Sequence, residues 1–459
     1  MESSYVIIGG GISGLYAAYS LHKKFGVTNI QIIEKSNRLG GRINSMDLGD
    51  IVLEMGAGAI TNGHSNMLNL IKDLGLDDQL MEGSGDRSIL LTDTIPTNKY
   101  ITGYEEIIPT IYKITSSVNI LDTIFYQIID ELLERLRDPV FFETASNYSL
   151  YSLIEKFYGE DRAIFMVQQF GYHADFYEQN SIQGLRMFIK DFPPKTKFIM
   201  IKKGLIQIIN ALEDYLQKHD IKIITGIGCD NIEKIDNAGI EASKHNLSLC
   251  EQGNKYYCLM DNNDEIIADN IIFAVTKKDI MGIKYLEPIY DNLNFVTEKS
   301  LIRIYAEFYP LPTGKQWFDD IESVVTTKTI FNQIIPISKE KGIIMFYCDS
   351  LNADMWNGFY QKGILERELL FHLSKLFSDK IINNPVNIYV SYYENATHMW
   401  KPGINPDMMY EKIRQPIGRE NIFIVGEAYS INQQWSQGAI QSVDDLLNLI
   451  FSQKITLKN

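Results

Sequence analysis

The chain has 459 residues, with 43 Lys and Arg against 58 Asp and Glu and a formal net charge of −15. That length exceeds a single hydrophobic core and implies about two or three domains. The acidic balance excludes a general nucleic-acid binder, which needs clustered cations against phosphate. Cys229, Cys250, Cys258 and Cys348 are too few and too scattered for a disulfide framework, and His245 near Cys250 and Cys258 fits no zinc-finger spacing, so no metal is expected. The first apolar run begins at Tyr5, too early for a signal peptide, and no run reaches the roughly 18 residues of a membrane span. The expectation is a soluble, cytoplasmic protein without membrane or nucleic-acid partners. The N-x-S/T triplets at Asn147, Asn246 and Asn395 then carry no glycosylation meaning.

In chain order, the first element is YVII, residues 5–8, a buried strand that runs directly into GGGISG and then a helical pattern. Gly9, Gly11 and Gly14 stand at G-x-G-x-x-G spacing. The first allows a tight turn, the second lets a pyrophosphate approach the backbone, and the third lets the helix pack close on the strand. Bound phosphates would sit on the helix N-terminus, where free N–H groups favour anions, and Ser13 adds a hydroxyl donor. A second strand, NIQIIE, ends at Glu34, twenty residues beyond Gly14, where a carboxylate accepts hydrogen bonds from a ribose diol. Strand, glycines, helix, strand and acid together predict a dinucleotide-binding unit.

The next stretch, KSNRLGGR at 35–42, adds Arg38 and Arg42 around the pair Gly40 and Gly41, so that cationic forks reach the pyrophosphate from the opposite side. This E-x-x-x-R-x-G-G-R pattern resembles the FAD signature of the flavin-containing amine oxidase family. LEMGAGAITNGH, residues 53–64, resembles that family's third FAD segment, in which Gly56, Ala57 and Gly58 pass the flavin ring. IKKGLIQIINALEDYL, 201–216, matches the family's glycine-then-helix return to the FAD domain. IKIITGIGCDNI resembles the strand whose backbone meets the adenine, which places Cys229 there; a small buried strand residue is the alternative for its side chain. DNAG at 236–239 and DNND at 261–264 read as hairpin turns, and ADNIIFAV at 268–275 as the strand closing this segment. The family often has proline next, where this chain has Thr276.

At the C-terminus, NIFIVGEAYSINQQWSQGAIQSVDDLLNLI resembles the family's last segment. By that resemblance Gly426 permits close approach, Glu427 accepts from FAD hydroxyls, and the helix N-terminus around Ala439 and Ile440 faces the flavin. Both chain ends must then meet around one cofactor. The expected fold is α/β, a Rossmann-type FAD-binding domain assembled from 1–80, 200–285 and 390–459. A discontinuous α+β substrate-binding domain is expected from 81–199 and 286–389, beginning with helical stretches such as ILDTIFYQIIDELLERLRD.

The resemblance implies an FAD-dependent oxidoreductase that oxidises the C–N bond of a primary or secondary amine to an imine, with O2 reduced to H2O2. No cysteine stands where some relatives form a thioether, so noncovalent FAD is expected. Lys299, nine positions before Phe308, matches the family lysine that holds a water near the flavin, with Arg303 a competitor on the same strand. Trp435 stands where the family places an aromatic wall, able to guide an amine by cation–π attraction. The partner wall falls in YYENATHMWKPGIN, where His398 or Trp400 serves. His64 either touches substrate or plays a polar loop role. The alternatives are an L-amino-acid oxidase, a desaturase or porphyrinogen-type oxidase, and a non-catalytic flavoprotein or a mutase. An amino-acid oxidase needs an arginine fork for the substrate carboxylate; Ala59 stands in the usual region, leaving an arginine from elsewhere such as Arg186. The oligomeric state stays open between monomer and homodimer.

Overall fold

The computed structural model describes residues 4–83, 87–90, 111–114, 123–170, 172–193, 196–235, 255–322, 324–327 and 329–456. Strand β1 (Tyr5–Ile8) lies at the centre of a five-stranded sheet. Its order is Lys222–Thr225, β2 (Ile30–Glu34), β1, Asn270–Phe273, Ile422–Ile424. Every pairing in it is parallel. YVII contains no residue suited to water because both faces of the sheet are covered. Tyr5 and Ile7 enter one core with helix α1 (Ile12–Phe25), helix Ile206–Lys218 and the C-terminal helix Ser436–Thr456. Val6 and Ile8 enter a second core with Ile232, Tyr256 and Leu286 on the opposite face.

Strand Ile422–Ile424 closes the sheet beside Asn270–Phe273, and the C-terminal helix packs on α1, with Phe25 and Phe451 stacked at 3.8 Å. The hairpin read at 261–264 joins Lys255–Met260 to Glu265–Ala268 in antiparallel pairing. Its Asn263 adopts φ +66°, a conformation asparagine tolerates better than most residues. The turn read at 236–239, with His245 and Cys250, lies outside the described residues. Among the described residues no helix is long and apolar enough to cross a membrane.

A seven-stranded sheet forms the second half of the molecule, ordered Asn387–Trp400, Val296–Glu307, Ile343–Asp349, Gln333–Ser338, Val324–Thr327, Arg87–Leu90, Ile111–Ile114. One face carries Ile302, Ile304, Phe346, Cys348 and Ile334 and packs on helices Ser350–Gln361 and Leu365–Leu376. Because side chains alternate along a strand, the residues between them share the other face. Arg303, Tyr347 and Gln333 are cross-strand partners on that face and make a polar row. Facing it is a helical cluster that runs from Thr123–Arg135, the helix expected there, to Ser181–Lys190, around Phe125, Leu153, Phe170 and Leu185. The two halves are tied where the Tyr305 hydroxyl donates to the Glu54 carbonyl at 2.6 Å and Leu53 and Met55 pack on Met345.

Candidate functional site

The three glycines of the first loop do three different things. Gly9 has φ +111°, a backbone that side chains rarely adopt. A Cβ on Gly14 would lie 1.9 Å from the Gly9 carbonyl oxygen, so only glycine lets α1 pack this close to β1. A Cβ on Gly11 would meet nothing within 4 Å: this position faces open space. Ser13 is the second residue of α1, and a Cβ on Gly426 (φ +131°) would approach only its hydroxyl, at 3.8 Å.

Backbone hydrogen bonds lace the next two segments onto this loop. Gly40 N–H donates to the Gly10 carbonyl at 2.9 Å, and Ala57 N–H to the Arg42 carbonyl at 2.9 Å. A Cβ on Gly56 would lie 1.9 Å from that Arg42 oxygen, and one on Gly41 would lie 3.5 Å from the Gly11 Cα. The Gly426 N–H donates to the Ser442 hydroxyl at 2.8 Å, which fixes the last segment beside them. Four distant stretches thus frame one crevice whose floor is backbone. Its donors, small residues and helix terminus fit a phosphate-bearing ligand.

The polar side chains expected here hold the cradle together. The Glu34 carboxylate accepts from Gly10 N–H at 2.6 Å and from the Ser36 N–H and hydroxyl at 2.8 and 2.6 Å, which leaves part of its acceptor capacity for a ligand hydroxyl. Arg38 is turned onto carbonyls, Gly41 at 2.7 Å and Leu39 at 3.2 Å. Beside Glu34, Ile227 and Gly226 donate to the carbonyls of Glu34 and Ser36, so the segment leading to Cys229 passes the same spot. Burial pushes the Cys229 thiol up to about 12, which makes it inert as a nucleophile.

Glu427 departs from its expected role. Oε2 accepts from Arg42 at 2.6 Å and faces His398 Nδ1 at 2.8 Å, while Oε1 accepts from the backbone N–H of His398 at 3.2 Å and of Gln434 at 2.5 Å. A carboxylate offers about four acceptor positions, and all are taken. It is a hub inside the protein rather than a free acceptor. Burial alone would raise its pKa, but the Arg42 and His398 charges outweigh this and hold it down at about 2. His398 is fully buried between two carboxylates, with Nε2 3.5 Å from Glu298. Burial lowers its pKa and the Glu427 and Glu298 charges more than reverse this. It has no surface left to act as an aromatic wall.

Trp400 is corrected in the same way. It is fully buried in the second core, its indole N–H donates to the Ser430 carbonyl at 2.9 Å, and its ring packs near Tyr429. The C-terminal helix opens at Ser436, and in its first turn the Gly438 N–H donates to the Trp435 carbonyl at 3.1 Å. Ile440 falls inside the helix with its side chain in the core, a shift of one turn from the expected terminus.

Trp435 is half-buried. His64 crosses its ring edge-on at 4.8 Å and Phe192 lies at 6.0 Å. Gln434 before it adopts φ +73°, a costly backbone for a non-glycine residue. The turn is held from both sides, by Gln434 N–H on Glu427 and by its side-chain amide on Asp175 at 2.8 Å. His64 itself is buried, Nε2 2.9 Å from Asp191 and Nδ1 accepting from Thr61 N–H at 3.1 Å.

The two cations on strand Val296–Glu307 are separated. They stand four residues apart, about 13 Å along an extended strand, and the β-bulge between them lies on the partner strand, where Tyr393 to Thr397 opposes Leu301 to Lys299. Lys299 pairs with Glu178. Arg303 instead lies on the third segment: a Cβ on Gly58 would be 2.8 Å from its Nη1 and 3.2 Å from its Nη2, and Nη1 donates to the Glu54 carbonyl at 2.8 Å. Of these two cations, the one beside Gly58 is Arg303.

Two acids that sequence reasoning missed complete this side. Burial and the nearby Asp349 push Asp175 up to about 8, and burial pushes Asp349 up to about 6. Asp349 ends an apolar strand, MFYCD, and that polar interruption was the only signal.

The comparisons with known proteins agree with this geometry. The profile of flavin-containing amine oxidoreductases matches residues 12–275, more than half of the chain. The coproporphyrinogen III oxidase of Mycobacterium bovis is 35% identical over 88 residues, 19% of this chain and 20% of that protein. The chain thus spans about a fifth of that relative's length. The Staphylococcus aureus coproporphyrinogen III oxidase is 23% identical over 263 residues, 50% of this chain and 55% of its own. A putrescine oxidase redesigned in its cofactor binding superposes with a TM-score of 0.70 at 15% identity, covering 98% of this chain and 99% of that one, which speaks for the fold. On the family profile, the chain belongs to the flavin-containing amine oxidoreductases.

Proposed function

We propose that the chain is an FAD-dependent amine oxidase with noncovalently held FAD. The observation that carries this reading is the division of labour among Gly9, Gly11 and Gly14, with the open face of Gly11 at the meeting point of four chain segments. Residues 1–80, 200–285 and 390–459 form the FAD side in this reading, and 81–199 with 286–389 the substrate side.

Bound FAD supplies the electron-acceptor chemistry, by which an amine C–N bond becomes an imine and O2 becomes H2O2. The protein's part is to bind and orient. Gly11, Ser13 and the start of α1 receive the pyrophosphate, Glu34 a ribose hydroxyl, and the backbone at Gly56–Gly58 and Gly426 the flavin end. Glu427 acts indirectly, by fixing Arg42 and the Gln434 turn. Trp435 supplies the aromatic wall that excludes water and guides the amine. Lys299, paired with Glu178, is the lysine that would hold a water near bound flavin.

The test is direct. Protein purified under native conditions is mixed anaerobically with mono-, di- and polyamines, and the visible flavin band is followed. Bleaching by an amine, with peroxide formed when air is admitted, supports the reading. A flavin that responds only to dithionite contradicts it and favours a non-catalytic flavoprotein.

A further inference from the structure

Backbone strain persists only where the surroundings over-determine it. Among the described residues five non-glycine residues have positive φ: Asp220, Asn263, Asn332, Ser350 and Gln434. Three are Asp or Asn, which tolerate that region; Ser350 and Gln434 are of neither type. Both adjoin the perturbed acids, since Ser350 follows Asp349 and Gln434 is bonded to Asp175. Gln434, at φ +73°, also stands directly before Trp435, so the conformation it holds decides where the indole points.

Three parts of the molecule meet at this turn. Gln434 N–H is anchored on Glu427 of the cradle. Its neighbour Gln433 is fixed there too, Nε2 on the Ala428 carbonyl at 2.6 Å and Oε1 accepting from Trp400 N–H at 2.8 Å. The Gln434 side-chain amide instead crosses to Asp175, in the short helix Ala174–Tyr177. That helix is held firmly: Phe176 packs among Phe125, Phe170 and Phe188 of the helical core, and Ala174 N–H donates to the Asp349 carboxylate of the sheet. Asp175 is 4% exposed, and its charged neighbours Asp349 and Asp191 are both acids. A buried carboxyl so placed is costly, and Gln434 is the group it is turned to. An amide both donates and accepts, so the bond persists whether Asp175 is ionised or neutral.

We propose that Asp175 is a positioning residue for the aromatic wall: through the Gln434 amide it fixes the turn that aims Trp435 at the amine. This rests on the amine-oxidase reading above and adds to it a residue that acts only through another. The wall is carried by the C-terminal segment, yet its angle is set from the helical cluster. Without the Asp175 contact only the backbone bond to Glu427 holds Gln434, and little opposes relaxation of its φ to an unstrained value. The indole then leaves its edge-on contact with His64, which Asp191 and Thr61 hold in place.

Acrylamide quenching of tryptophan fluorescence reads the indole directly, because Trp317, Trp356 and Trp400 are at most 3% exposed and Trp435 is the remaining tryptophan of four. The comparison takes flavin-loaded wild type, Asp175→Leu, Asp175→Asn and Gln434→Gly, with kcat/KM measured on the amine that bleaches the flavin fastest. Glycine suits φ +73° and keeps its N–H for Glu427, so Gln434→Gly removes the tie to Asp175 without straining the backbone. Asp175→Leu and Gln434→Gly should roughly double the quenching constant and lower kcat/KM roughly 5- to 50-fold, with Gln434→Gly melting close to wild type. Asp175→Asn, which keeps an acceptor, should restore most of both. Adding Asp175→Leu to Trp435→Ala should cost nothing further, since the two act as one unit. Wild-type quenching and kinetics in Asp175→Leu and Gln434→Gly overturn the proposal, as does a double variant whose loss is the product of the single losses. If Asp175→Leu does not fold, Gln434→Gly decides. Wild type that oxidises no amine sinks the amine-oxidase reading alone, and the quenching comparison still decides whether Asp175 places the indole.

Discussion

Glu427 in the cradle and Asp175 in the chamber are both buried carboxylates, and their surroundings drive them in opposite directions. Glu427 has Arg42 and His398 against it and is held at about 2. Asp175 has one amide and a second acid near it, and burial takes it to about 8. The cradle has neutralised its own charges, whereas the sheet side keeps two perturbed acids and an arginine that meets a carbonyl but, among the described residues, no carboxylate. The difference marks which half is finished as a scaffold and which is left for a ligand to complete.

The largest expected effects lie in the cradle and separate packing from binding. Gly14→Val forces a Cβ against the Gly9 carbonyl and should abolish folding or cost more than about 3 kcal/mol, seen as loss of the cooperative melt. A Cβ at Gly11 meets nothing within 4 Å, so Gly11→Val should keep most of the stability and lose the flavin. Equal melting losses in the two variants would dissolve the distinction between these glycines.

Next comes the Glu427 network. Glu427→Gln leaves Arg42 without its counter-charge, for a loss of about 3–5 kcal/mol. The pH dependence follows from the two shifts. A depressed Glu427 contributes above its unfolded value of 4.5 and loses that contribution as pH falls toward 2. A raised His398 contributes fully below 6.5 and loses it as pH climbs through its folded value. The network is therefore strongest between about pH 4.5 and 6.5. Urea melts at pH 3, 5.5 and 8 should show this maximum in wild type and a flattened profile in Glu427→Gln; an unchanged profile would remove the network from the stability of the cradle.

In the chamber the effects are smaller and fall first on turnover. Trp435→Ala should lower kcat/KM for amines by roughly 10- to 100-fold with flavin content unchanged; unaltered kinetics would take the indole out of the site. Asp175→Asn keeps an acceptor for Gln434 and removes an acid whose folded pKa is raised. That acid costs stability progressively as pH rises from 3.8 toward 8. The variant should therefore melt a few degrees higher than wild type at pH 8 and alike at pH 4. A variant less stable at pH 8 would mean the carboxylate is charged and paired.

The same contrast explains what the sequence disclosed. The cradle is built from backbone, and backbone demands are visible as glycines at fixed spacing: Gly9, Gly11, Gly14, Gly56 and Gly426 were all named from their positions. The parallel sheet was legible because strands covered on both faces are unbroken apolar runs. The chamber is built from side chains brought together by pairing between strands, and no local pattern records a register. Lys299 and Arg303 look equivalent along the strand, and only the packing of the loop on the sheet shows that Arg303 is the one beside Gly58 while Lys299 meets Glu178. His398 and Trp400 share a segment with the expected wall, yet lie where Glu427 and the second core need them. Gln333 and Tyr347 meet only through sheet pairing, and neither stands in any motif.

The central claim is that both ends of the chain close on one flavin nucleotide. Titrating FAD into flavin-stripped, folded protein, with fluorescence quenching as the readout, tests it most directly. Saturable binding in wild type that Gly11→Val abolishes without unfolding is the result expected. Folded wild-type protein that leaves FAD fluorescence untouched would contradict the account.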